Sequence, residues 1–102
     1  MITTEERTLE VGTTGQVWGR ITDRLEQDMS GLTIQLATVS PAGVVSAWAA
    51  PAAIDAATAG VLRAALVHVA VEVGTWRLLA KLTNGSLVEV MNVGAFYVVA
   101  VP

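Results

Sequence analysis

The stretch Gly74-Thr75-Trp76-Arg77-Leu78-Leu79-Ala80-Lys81-Leu82-Thr83-Asn84-Gly85 leaves this chain little freedom. Trp76, Leu78, Ala80 and Leu82 fall on one side of an extended strand. Thr75, Arg77, Lys81 and Thr83 fall on the other, with Leu79 the one large apolar exception. Period-2 alternation marks a strand with one face buried and one face wet. Asn84-Gly85 offers two residues that tolerate positive φ, as a tight hairpin turn requires. Leu87-Val88-Glu89-Val90-Met91 then reads as the return strand. This hairpin is expected at the centre of a small β-sandwich.

The rest of the chain repeats the pattern. Residues 1–6 read as a loose polar arm, and one domain fills 7–102. Residues 7–11 suit an edge strand, followed by a Gly12-Thr13-Thr14-Gly15 turn. Val17, Gly19 and Ile21 alternate with Gln16, Trp18, Arg20 and Thr22, which puts Trp18 anomalously on the polar face. Leu32, Ile34 and Leu36 form the next alternating run. Ser40-Pro41-Ala42-Gly43 is a turn in which Pro presets φ and Gly accepts unusual geometry. Residues 44–49 read as its return strand, with β-branched Val44 and Val45 and aromatic Trp48.

Residues 50–60 are alanine-rich, and one helical turn near 54–58 is compatible with Pro51 and Gly60 at its ends. Residues 61–67 read as a strand. A continuous helix over 52–72 is the rival reading, opposed by Val61, Val67, Val69 and Val71, whose branched side chains lose rotamer freedom in helices. Residues 95–101 form a last strand, apolar on both faces and so expected to be central or covered on both sides. Seven or eight short strands with regularly spaced turns predict a single all-β antiparallel sandwich.

At 102 residues the chain is one domain. Area scaling has it bury about 64% of its unfolded surface, enough for one core. It has no cysteine, so neither disulfides nor thiolate metal sites contribute. Charged residues make up 15% and hydrophobic ones 53%. About 25% charged is usual, so the deficit points to surface covered by partners or to an alanine-rich genome bias. A net charge of −3 argues against nucleic acid, which needs a clustered basic face. Glu5, Glu6 and Glu10 occupy the first ten residues, where a secretory leader would place an apolar stretch. The most apolar region, 61–73, is broken by Arg63, His68 and Glu72, so no membrane span is expected.

Catalytic constellations are missing. His68 is the only histidine and has no acid beside it in sequence, whereas a base needs an orienting partner and a nucleophile. It reads as a partly buried or sheet-edge residue. Serines 30, 40, 46 and 86 lack a nucleophile-elbow context. Asp23, Glu26 and Asp28 do not match a calcium loop and read as a solvated loop. Gly12, Gly15 and Gly19 do not form a phosphate-binding loop. No catalysis, cofactor or metal is expected.

Where charge is absent is more telling. Between Met29 and Leu62 the one ionisable residue is Asp55. Interfaces deplete charge at their centres and enrich aromatics. Val44, Val45, Trp48, Pro51 and Ile54, together with Trp18, are therefore the candidate contact surface for another subunit. The alternative is a loop folded over the open end of the sandwich.

The order of these segments resembles a known family. Ile21-Thr22-Asp23 leads to Asp28-Met29-Ser30-Gly31-Leu32-Thr33-Ile34. Later come Ile54-Asp55-Ala56-Ala57-Thr58-Ala59-Gly60-Val61-Leu62, Val73-Gly74-Thr75-Trp76-Arg77-Leu78, the Asn84-Gly85 turn and Gly94-Ala95-Phe96-Tyr97-Val98-Val99. Over roughly residues 7–101 this is similar to the immunoglobulin-like domain at the N-terminus of phage baseplate upper proteins and in small phage tail-associated proteins. Val73 stands where the family has proline, and Trp76 where it has tyrosine. The resemblance implies an immunoglobulin-like sandwich and a non-enzymatic virion structural protein. Made in the host bacterial cytoplasm, it would dock, in many symmetric copies, on neighbours in the tail tip, baseplate or connector. It implies neither nucleic acid nor membrane as partner. A capsid decoration protein on the phage head is a second virion reading. A carbohydrate- or ligand-binding module is the reading from another class, and it needs Trp18, Trp48 and Tyr97 to share a face.

Overall fold

A computed structural model describes residues 7–22, 33–55 and 61–100. Its elements are β1 (Arg7–Glu10), β2 (Thr14–Thr22), β3 (Thr33–Val39), β4 (Ala53–Asp55), β5 (Val61–Val69), β6 (Gly74–Asn84) and β7 (Leu87–Val99). They form two sheets, ordered β1-β7-β6-β3 and β2-β5-β4. The protein is an all-β sandwich, and no helix occurs among the described residues. The helical turn expected at 54–58 is replaced, as far as Asp55, by β4 on the edge of the smaller sheet; residues 56–60 lie outside the described set. Residues 61–69 are strand, which removes the long-helix reading there.

Alternation sets the core. Val17, Ile21, Ile34, Leu36, Leu62, Trp76, Leu78, Ala80, Leu82, Phe96 and Val98 pack between the layers. The inward faces of β2, β3 and β6 are those the sequence predicts. The β6–β7 turn sits one residue later than expected: Asn84 pairs with Leu87, so Gly85 and Ser86 form the loop, with Gly85 at φ 62°.

Three further differences have physical causes. First, the return strand and the last strand are one strand, β7, carrying a bulge opposite Leu78/Leu79. A bulge adds one residue and reverses the parity of the strand. Val90 is exposed before it, whereas Phe96 and Val98 are buried after it. Second, β1 pairs with β7 in parallel, Leu9 beside Val98, so the sheets are not wholly antiparallel. This seats β7 between β1 and β6, the central position its two apolar faces require. Third, residues 44–49 are no regular strand. They follow the edge of β3 through two isolated bridges, Leu36 to Ala49 and Val39 to Val45. Between them the Thr38 N–H donates to Ser46 Oγ at 2.9 Å, so a side chain replaces a ladder carbonyl.

The layers approach most closely where β2 crosses β7. A Cβ on Gly19 would collide with Val93 Cγ2 and stand 3.1 Å from Leu78 Cδ2. A Cβ on Gly94 would stand 3.1 Å from the Trp18 carbonyl oxygen. At Gly19 the obstacle is side chain, Val93 and Leu78; at Gly94 it is the backbone of Trp18, a close approach that glycine permits.

Candidate functional site

The six residues expected to form one contact surface are distributed over the molecule. Val44 and Val45 are 66% and 51% exposed and belong to the turn after β3. Ile54, 53% exposed, lies on the short edge strand β4. Pro51 is half-buried in the segment leading to β4. Trp18 is half-buried on the outer face of the smaller sheet, where the Arg63 guanidinium sits 4.8 Å from its ring centroid. Asp55 Oδ2 lies 3.7 Å from Arg63 Nη1. Trp48 is half-buried on the outer side of the larger sheet, with the Lys81 ammonium 4.7 Å from its centroid. Each indole thus has a cation on its face, a contact of about 0.5–1 kcal/mol at exposed sites.

Tyr97 pairs in register with Thr75 on the outer face of the larger sheet. Trp18 and Tyr97 therefore lie on opposite layers, and the three aromatic residues do not converge on one groove. Asp23, Glu26 and Asp28 lie outside the described residues. Among the described residues no group of acids, histidines or cysteines is arranged to hold a metal ion, and no helix is long and apolar enough to cross a membrane.

The structure assembles a surface that the sequence reading missed. Residues 11–13, 40–45 and 70–74 meet at one end of the sandwich. Gly12 N–H donates to the Ala70 carbonyl at 2.8 Å, and Ala70 N–H to that of Thr13 at 2.9 Å. A Cβ on Gly74, which sits at φ 143°, would strike Pro41, so these two connections are in contact. Val44, Val45, Val69, Val71 and Val73 are all more than half exposed here, and Val67 continues the row along β5. Five valines more than half exposed at one end of a monomer are the kind of apolar surface that tends to be functional when it is contiguous. The signal was legible as Val67-His68-Val69-Ala70-Val71-Glu72-Val73, an alternation that puts a valine at every outward position. A strand apolar on both faces normally has both faces covered.

The inner side of the same run carries His68. Its ring meets Trp76 edge-on at 4.6 Å and Phe96 at 4.8 Å, between centroids. Trp76 and Phe96 stack at 5.8 Å, and Trp76 Nε1 donates to the Glu72 carbonyl at 2.9 Å. Burial pushes the His68 imidazole below its ordinary pKa. It has no nucleophile or carboxylate hydrogen-bonded to Nε2.

Comparison of the chain with protein-family models and with curated proteins finds no match.

Proposed function

We propose that this chain is a non-enzymatic structural module of a phage virion, docking on neighbouring subunits of the tail tip, baseplate or connector. The observation that carries the docking half is the valine-bearing end, where Val44, Val45, Val69, Val71 and Val73 are each more than half exposed. An apolar patch of this kind is stabilised when a partner removes it from water, at about 25 cal/mol per Å². The phage half rests on the segment order described above.

The strand order supports the immunoglobulin-like reading. A constant-type immunoglobulin sandwich has one sheet containing its second, fifth and fourth strands and another containing its third, sixth and seventh. Here β2-β5-β4 and β7-β6-β3 fall in the same two groups, with β1 attached to β7. A glycan-binding role is less well supported, because Trp18 and Tyr97 lie on opposite layers and both indole faces carry cations.

Mass spectrometry of gradient-purified virions, with heads and tails separated, tests the proposal. The expected result is this chain in the tail fraction at a fixed multiple of a known tail protein. Presence in heads alone would favour a decoration protein, and absence from both fractions would overturn the virion role.

A further inference from the structure

We propose that His68 is an acid-sensitive latch between the two sheets, closed when its imidazole is neutral and released by proton uptake. The inference does not depend on the virion reading. His68 stands on β5 in the smaller sheet, while Trp76 and Phe96 stand on β6 and β7 in the larger one. The His68 ring therefore ties the layers together, at centroid separations of 4.6 and 4.8 Å from the Trp76–Phe96 pair. It does so next to the valine-bearing end, since Val69, Ala70 and Val71 follow directly.

The neutral ring suits this place because it is flat, aromatic and uncharged. An imidazolium does not suit it. Nε2 is buried and has no hydrogen-bond partner among the described residues. A charge brought there loses part of its water, and no described carboxylate is hydrogen-bonded to Nε2. Among the described residues the surrounding ionisable groups supply no counter-ion. On β2 the register partner of His68 is Gly15, and Arg20 is exposed on the outer face. On β6, Arg77 and Lys81 occupy the outer positions, and both are cationic. On β7, Tyr97 faces outward and Glu89 is exposed beyond the bulge. On β1, Glu10 is exposed and Arg7 is in register with Phe96. Glu72 is exposed, and it is its backbone carbonyl that holds the indole of Trp76. The aromatic faces offer an imidazolium some cation–π attraction, which replaces only part of the lost hydration.

The sign follows from linkage. A base whose folded pKa lies below its unfolded value of about 6.5 binds more protons when unfolded. Its contribution is fully present above that pH and is lost as pH falls from 6.5 through the folded pKa. The loss is at most a tenfold rise in the unfolding constant per pH unit, the limit for one proton.

Because the chain has one histidine, two measurements decide the matter. The first follows the His68 ring by NMR from pH 8 to 5. The second follows denaturant unfolding at pH 7.5, 6.5 and 5.5 for the wild type and for His68→Phe, which keeps an aromatic ring and removes the proton site. The latch predicts a ring that titrates below 6.5. It also predicts a wild-type unfolding constant that rises between pH 6.5 and 5.5, by up to about fivefold, with a much flatter response in His68→Phe. A ring titrating at or above 6.5, or equal acid sensitivity in both proteins, overturns it. Should His68→Phe not fold, His68→Leu takes its place and the wild-type titration decides.

Discussion

Gly19→Ala puts one methyl group where the two sheets touch. The new Cβ would collide with Val93 Cγ2 and crowd Leu78 Cδ2 at 3.1 Å. Val93 is β-branched and only 9% exposed, so it has few rotamers to move into. Overpacking of this kind costs about 1–3 kcal/mol. Alanine in a strand interior regains about 0.5–1 kcal/mol over glycine. The net expectation is about 1–2 kcal/mol of destabilisation. For a domain near 100 residues, each kcal/mol moves Tm by about 4–8 °C, so Tm should fall by about 5–15 °C. Val93→Ala alone removes two methyl groups and should cost about 1.6 kcal/mol at about 0.8 each. In the Gly19→Ala background the same change also relieves the collision. Denaturant unfolding of all four proteins should therefore give a favourable coupling of at least about 0.5 kcal/mol. Additive costs, or Gly19→Ala as stable as the wild type, would refute close layer contact at this crossing.

Other expectations can be checked on the same apparatus. Phe96→Ala removes a ring that is 1% exposed and should cost about 3–5 kcal/mol in chemical unfolding. Ser46→Ala strips the acceptor from the Thr38 N–H and should cost about 1–3 kcal/mol, with faster amide exchange along residues 44–49. Lys81→Met keeps the stem but removes the charge over Trp48; a loss of about 0.5–1 kcal/mol, read against a Trp48→Leu cycle, is expected. Val71→Asp lies on exposed surface, so stability should change by less than about 0.5 kcal/mol, while incorporation into virions falls.

The sequence revealed those elements whose side-chain parity is uninterrupted. β2 alternates cleanly, β6 does so apart from Leu79, and β3 does so as far as Leu36, beyond which Ala37 and Val39 of the opposite parity are buried too. Parity failed at the bulge, because the residues around Val93 give two half-strands with opposite phases and nothing local says they join. It failed again at 44–49, where strand-forming residues are present but Ser46 offers its hydroxyl to Thr38 in place of a backbone group. The candidate surface was partly legible. Absence of charge points to Val44, Val45 and Trp48, and Trp18 joins them because a tryptophan on a polar face looks exposed in sequence. Arg63 and Lys81 cover the two indoles, and such pairing arises from strand register across the fold rather than from neighbours along the chain. The valine row of 67–73 reads in sequence as a connection, because His68 and Glu72 interrupt the apolar run and nothing local says which side its valines face.

The claim on which the functional account turns is that the valine-bearing end is covered in the assembled particle. Backbone hydrogen exchange, compared between the free protein and intact purified virions, tests this directly. The account predicts that peptides spanning residues 40–46 and 67–75 exchange at least about tenfold more slowly in the virion, while those from the outer face around Arg20 do not. Equal rates at 40–46 and 67–75 in the two states would contradict it.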